Sequence, residues 1–359
     1  MRDSQLRFAR LRAVLFVSVL LASGQFLQGR PAARWSIGPD LPTNLVRATG
    51  VYFPGNGRFY AMGGRTGDTS GADKPTPYEY DPKTNTWAFK TAPFPDNQVD
   101  NMACGVLTVS RTPYIYCVGG SAAGSTSATK RVFRYDPATD TIETAAIEPW
   151  NETAPDTLPG GFTVFQNKLY ILGGLAISTS ATNRIFEFTP GNAVGSQWAR
   201  KAAALPVALG YVPATTIGSL IFTAGGNTFT PCVLTETNNS YVYDPVRDSI
   251  SPIASIPRAT GETRAVTVAD EMWVLGGGRT APNPSTEVNI YNPLTGQWRV
   301  GLPLSTGQRN FAAASDGARV FLAGGYNSST IPLNTAQIYS SSPVVAPAVG
   351  TDKDSTGRP

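Results

Sequence analysis

Six pairs of adjacent glycines that each follow an apolar or aromatic run recur along the chain at nearly even intervals. They are Gly63-Gly64, Gly119-Gly120, Gly173-Gly174, Gly225-Gly226, Gly276-Gly277 and Gly324-Gly325, with spacings of 56, 54, 52, 51 and 48 residues. Each pair ends a short apolar or aromatic run: FYAMGG, IYCVGG, LYILGG, IFTAGG, MWVLGG and VFLAGG. Such runs are short and rich in residues that strands favour, and no long 3.6-residue period accompanies them. Two glycines behind a strand mark a bend where the backbone takes positive φ or closely approaches a neighbour.

An aromatic turn follows each first glycine after 15 to 18 residues: Tyr80-Asp81-Pro82, Tyr135-Asp136-Pro137, Phe188-Thr189-Pro190, Tyr243-Asp244-Pro245, Tyr291-Asn292-Pro293 and Tyr339-Ser340-Ser341. Asp or Asn before proline starts a turn through side-chain capping and the fixed φ of proline. Trp87 and Trp298 lie seven residues beyond their tyrosines and Trp198 ten beyond Phe188, while Ile142 and Ile250 hold the equivalent place in two other repeats.

Di-glycine, aromatic turn and tryptophan in this order resemble the kelch repeat, whose period is about 50 residues. The resemblance covers roughly residues 35 to 341. It implies an all-β fold, a six-bladed kelch-type β-propeller of four-stranded blades. In each blade the di-glycine should end strand two, the aromatic turn strand three, and the tryptophan should lie on strand four. The WD repeat, the main rival of similar length, expects Gly-His and Trp-Asp pairs, and this chain has no histidine. The sixth repeat stops after Tyr339 with no tryptophan beyond it, whereas Trp35-Ser36-Ile37 and Leu41-Pro42 near the start match the stretch from Trp87 to Pro93. The N-terminal strand is therefore expected to close the last blade and protect the sheet edges.

Arg7, Arg10 and Arg12 precede the apolar run Ala13 to Ala22, and Ala22-Ser23-Gly24 supplies small residues for cleavage. This pattern predicts a signal peptide over 1–24, a leader over 25–34 and a secreted, extracellular or periplasmic protein. The run is shorter than the ~20 residues of a spanning helix, so no membrane span is expected in the mature chain. Residues 342–359 are rich in Pro, Ser, Ala and Gly and predict a disordered tail. Of 29 basic and 25 acidic residues, Arg2, Arg7, Arg10, Arg12, Arg30 and Asp3 fall in the first thirty positions, leaving 24 against 24. A body so balanced lacks the electrostatic footprint of nucleic-acid binding.

A two-residue turn at Ser110-Arg111 places Cys104 opposite Cys117, a pair expected to form a disulfide in an exported protein. Cys232 is left over, as a free thiol or an intermolecular link. Without a CxxC pair a structural zinc cluster is not expected, and without histidine neither Ser-His-Asp nor Cys-His machinery is possible. Oxygen ligands such as Asp68 and Asp73 fit a polar loop better than a calcium site. No metal and no cofactor is expected. Propeller ligands sit over the central channel, on the loops from strand four to the next strand one and from strand two to strand three. Arg47, Asp100, Glu262, Arg264 and Arg309 are the candidate ligand-rim residues on that face. Arg65 to Pro77, Asn151 to Pro159 and Asn227 to Asn239 are expected as its long loops. Asn151, Asn238 and Asn327 begin glycosylation sequons in expected loops.

The expected function is a secreted, non-catalytic recognition module for a protein, peptide or glycan partner. One alternative is a carbohydrate-active enzyme using Glu262 and Arg264, since the fold also resembles that of sialic-acid mutarotases. Another is a structural module of a surface or matrix assembly, linked through Cys232 and the tail.

Overall fold

The computed structural model describes residues 33–340, apart from 231–232 and 279–282. The expected signal segment, residues 25–32 of the leader, Cys232 and the expected tail lie outside the described residues.

A short strand, β1 (Arg34–Ile37), comes first. Blade one is β2 (Thr49–Phe53), β3 (Arg58–Met62), β4 (Tyr78–Asp81) and β5 (Thr86–Phe89). Blade two is β6 (Ala103–Val109), β7 (Thr112–Val118), β8 (Val132–Asp136) and β9 (Thr141–Glu143). Blade three is β10 (Thr157–Phe165), β11 (Lys168–Ala176), β12 (Ser180–Phe188) and β13 (Trp198–Ala204). Blade four begins with β14 (Ala214–Ile217) and β15 (Leu220–Ala224), is interrupted by the hairpin β16 (Asn227–Thr230) and β17 (Val233–Glu236), and ends with β18 (Ser240–Asp244) and β19 (Ser249–Pro252). Blade five is β20 (Arg264–Val268), β21 (Glu271–Leu275), β22 (Val288–Asn292) and β23 (Gln297–Val300). Blade six, β24 (Ala312–Ser315), β25 (Val320–Ala323) and β26 (Ala336–Ser340), takes β1 as its fourth strand.

One cross-strand pair recurs in every blade. Tyr80 faces Trp87, Tyr135 faces Ile142, Phe188 faces Trp198, Tyr243 faces Ile250 and Tyr291 faces Trp298. Trp35 faces Tyr339 in the same register, so the first strand closes the ring as expected. Each of the four tryptophans in these pairs also staples its blade to the preceding one through its indole N–H. Trp87 donates to the Pro39 carbonyl at 2.9 Å, Trp198 to Glu148 at 3.1 Å, Trp298 to Ala254 at 2.7 Å and Trp35 to Leu302 at 3.1 Å. The two isoleucine blades use an aspartate instead. Asp140 accepts from the Tyr135 hydroxyl and the Thr91 N–H of the blade before, and Asp248 from Tyr243 and the Ala202 N–H. The apolar core is accordingly layered, with one buried cluster at each of the six blade junctions.

The di-glycines have a packing reason. At Gly63 (φ +67°) a Cβ would lie 2.2 Å from the Val99 carbonyl oxygen, and the Gly64 N–H donates to that same oxygen at 3.0 Å. The arrangement recurs at Gly225-Gly226 with Thr260 and at Gly324-Gly325 with Leu45. Each such pair ties strand two of one blade to the segment entering the next, and only glycine lets the backbones come that close.

Two expected loops are corrected. Asn227 to Asn239 is largely the hairpin β16–β17, and the expected loop Asn151 to Pro159 already enters β10 at Thr157. In blade three the strands run on past the di-glycine, because a bulge between Leu172 and Gly174 restores pairing of Thr182 and Ala181 with β11. The Cys104–Cys117 disulfide is present, closed by the expected turn in which Ser110 and Arg111 both take positive φ. Among the described residues no helix is long and apolar enough to cross a membrane.

Candidate functional site in the channel and at its mouth

The innermost strands β2, β6, β10, β14, β20 and β24 pack in a ring around the propeller axis. They enclose a cavity of about 370 Å³ lined by small, apolar and hydroxyl side chains, among them Val51, Thr163, Val164, Thr215, Thr267 and Ala313. Threonine hydroxyls stitch neighbouring blades along this wall, Thr163 to Thr216 at 2.9 Å and Thr215 to Thr267 at 2.7 Å. Arg264 is the one charged residue lining the cavity among the described residues.

At the mouth, a residue one to three positions before each inner strand repeats an uncommon backbone state. Arg47, Asn101, Asp156, Tyr211, Glu262 and Asn310 all adopt left-handed φ between 47° and 60°. Arginine, tyrosine and glutamate have no intrinsic preference for this region, so tertiary contacts hold them there. A run of backbone hydrogen bonds joins four of the six: Asn101 N–H to Arg47, Arg47 N–H to Asn310 and Asn310 N–H to Glu262, at 2.9, 2.7 and 2.7 Å. This geometry fans polar side chains around the channel opening.

Most of those charges pair with one another. Arg309 donates to Glu262 at 2.7 Å, with the two side chains 7% and 1% exposed. Arg65 donates to Asp100 at 2.9 Å and to Asp68 at 2.6 Å. The Tyr326 hydroxyl donates to Asp68, and its ring lies 4.8 Å below the Arg309 guanidinium. Burial pushes the Asp100 carboxyl up to about 7 even though Arg65 and Arg47 oppose it. For Asp68 burial also works against the charge, but Tyr326 and Arg65 outweigh it and lower its pKa.

Arg47 and Arg264 are placed differently. Arg47 reaches across the ring from blade one to blade four, where its guanidinium donates to the Tyr211 hydroxyl at 3.2 Å. Arg264 lies over the Phe162 ring at 5.5 Å and, among the described residues, donates only to the neighbouring Thr263 carbonyl, at 3.3 Å. The Nε of each is buried without a hydrogen-bond partner. Burial works against the charge of Arg47, but Tyr211, Glu262 and Tyr326 outweigh it and raise its pKa. Burial lowers Arg264 to about 10 against the opposing effect of Tyr211, so it remains a cation at neutral pH.

All five candidate rim residues thus lie at the mouth or on the wall. The structure joins Glu262 to Arg309, gives Asp100 to Arg65, and among the described residues sets Arg47 and Arg264 apart from any ion pair. Asp100, Glu262 and Arg309 are buried rather than solvated. Asp68 and Asp73 hold loops, Asp73 by accepting the Ala123 N–H at 2.7 Å, and among the described residues no cluster of three or more acidic or cysteine side chains suits a metal. Sequence reasoning missed Arg65, Tyr326 and Tyr211. A signal existed: Arg65 and Tyr326 each follow a di-glycine immediately, and Tyr211 holds the same left-handed place as Arg47 and Glu262.

No protein-family profile matches the chain. "Kelch-like protein terF" of Aspergillus terreus is 28% identical over 233 residues, covering 63% of this chain and 48% of that protein. "Kelch-like protein 35" of Mus musculus is 31% identical over 161 residues, covering 44% and 24%. The chain therefore spans less than half the length of either relative. The solved structure of YjhT superposes with a TM-score of 0.64 at 15% identity, over 83% of this chain and 95% of that one. With six di-glycine repeats, the recurring aromatic pair and the ring closed by β1, the chain is a six-bladed kelch-repeat β-propeller.

Proposed function

We propose that this propeller is a non-catalytic recognition module that engages a protein, peptide or glycan partner through the loops around the channel mouth. One observation carries the reading: Asp100 and Glu262 at the mouth are buried and held by arginines, while the loops around them are exposed and tied together. Asp73 accepts from Ala123 in the next blade, and Asp156 accepts from the Ala128 N–H at 3.1 Å. Loops ordered in advance lose little entropy on binding. Between them Ser70, Asn97, Gln98 and Ser125 line an open polar groove of about 450 Å³. The enzymatic alternative needs Glu262 within reach of a substrate, and its side chain is 1% exposed against Arg309. Peptide and glycan arrays probed with the full chain should yield ligands that are lost when Thr69–Gly71 and Gly124–Ser127 are replaced by Gly-Ser linkers. The variant should unfold within about 2 °C of the parent, as surface changes of this kind do. Ligands held equally well by the variant would overturn the assignment.

Export belongs to the same proposal. The basic-then-apolar N-terminus supports it, as does a disulfide of the kind oxidising compartments preserve. Recovery of mature protein beginning at Gln25 outside the cytoplasm is the expected result, and uncleaved protein retained with the soluble cytoplasmic fraction would contradict it.

A further inference from the structure

We infer that the central channel holds a binding site for a small organic carboxylate, built from Arg47, Arg264 and the Tyr211 hydroxyl between them. The inference concerns the channel itself and does not depend on the loop face recognising a partner.

Three observations converge. Arg47 from blade one reaches Tyr211 of blade four and Arg264 from blade five reaches the Phe162 ring of blade three, yet among the described residues neither has a carboxylate within ion-pair distance. This contrasts with Arg65 and Arg309 at the rim, each bonded to an acid. Each of the two also buries an Nε–H with no acceptor, and a buried donor left unmade is costly unless a ligand or water satisfies it. Arg264 borders a cavity of about 370 Å³, within the ~300–1,000 Å³ range of small-molecule sites. The wall there is otherwise neutral, with threonine hydroxyls and valine and alanine side chains, so the arginine positions an anion without a competing acid. A planar carboxylate matches the guanidinium fork by charge and by geometry. The bond from Arg47 to Tyr211 crosses the channel at the mouth, which favours a compact free acid over a side chain presented by a folded partner.

The test uses the full chain, with sodium acetate and sodium lactate as probes and sodium chloride at equal ionic strength as reference. An acidic pentapeptide is the second arm. Calorimetry should show saturable binding of acetate or lactate, with no comparable effect of chloride. Arg264→Met should weaken it at least tenfold, and Arg264→Lys should restore part of it. Arg264→Met removes a cation that has no acid partner, so its unfolding temperature should match the parent's or exceed it, which separates loss of the site from loss of the fold. Tyr211→Phe provides an independent variant and should weaken binding several-fold. No carboxylate binding to the folded parent, equal binding by Arg264→Met, or binding of the pentapeptide alone would each overturn the proposal.

Discussion

The rim of the channel and its wall treat the same residue type in opposite ways. At the rim, Arg65 and Arg309 lie against acids that are almost wholly buried, Asp100 at 0% and Glu262 at 1% side-chain exposure. On the wall, Arg264 meets an aromatic ring and a backbone carbonyl, and Arg47 at the mouth likewise meets a tyrosine hydroxyl in place of an acid. A buried pair adds little net stability over apolar packing, but removing one partner leaves the other stranded in a poor solvent for charge. A buried cation without an acid has no such partner to strand. The comparison teaches that rim charges belong to the architecture, whereas wall charges are available to something outside the chain.

Arg65→Met should break the rim most severely. It leaves Asp100 buried without its guanidinium, and a loss of about 3–5 kcal/mol in urea unfolding is expected. A smaller loss, about 2–3 kcal/mol, should follow Cys104→Ser with Cys117→Ser, because the bridge closes a short loop beside the wall. Reductant added to the parent should reproduce that change.

The pH profile sharpens the rim side. Asp100 has its pKa raised in the folded state to about 7, against about 3.9 unfolded. Between those values the native protein holds a proton that the unfolded chain has released. This contribution to stability is therefore full below about pH 4 and declines as pH rises to about 7. Asp100→Asn should flatten that part of the profile, and an unchanged slope would place the titration elsewhere. The smallest effect belongs to the bond across the mouth: Tyr211→Phe removes one hydrogen bond and should cost about 0.5–1.5 kcal/mol.

The repeat made much of this molecule legible. Glycines at Gly63 and Gly324 are required by carbonyls 2.2 and 2.0 Å from where a Cβ would stand, so the packing is written into the residue type. Trp35 could be matched to Tyr339 because every other blade carries the same pair, and Cys104 to Cys117 because a tight hairpin has only one register. The rim residues were found by position, but their pairing was not. Arg65 meets Asp100, and Arg47 meets Tyr211 from 164 positions away, and no local pattern encodes which of several arginines lies over which acid. The long strands of blade three and the hairpin Asn227 to Glu236 escaped for another reason. Both lie between a di-glycine and its aromatic turn, and those spacings of 15 and 18 residues fall in the ordinary range, so the period carries no sign of the added pairing.

The most direct test of the contrast is urea unfolding of Glu262→Gln and Arg264→Met side by side. Glu262→Gln leaves Arg309 buried without its carboxylate and is predicted to lose about 3–5 kcal/mol, while Arg264→Met stays within about 1 kcal/mol of the parent or above it. Equal losses in the two variants, or a greater loss at Arg264, would contradict the division of the channel into a paired rim and an available wall.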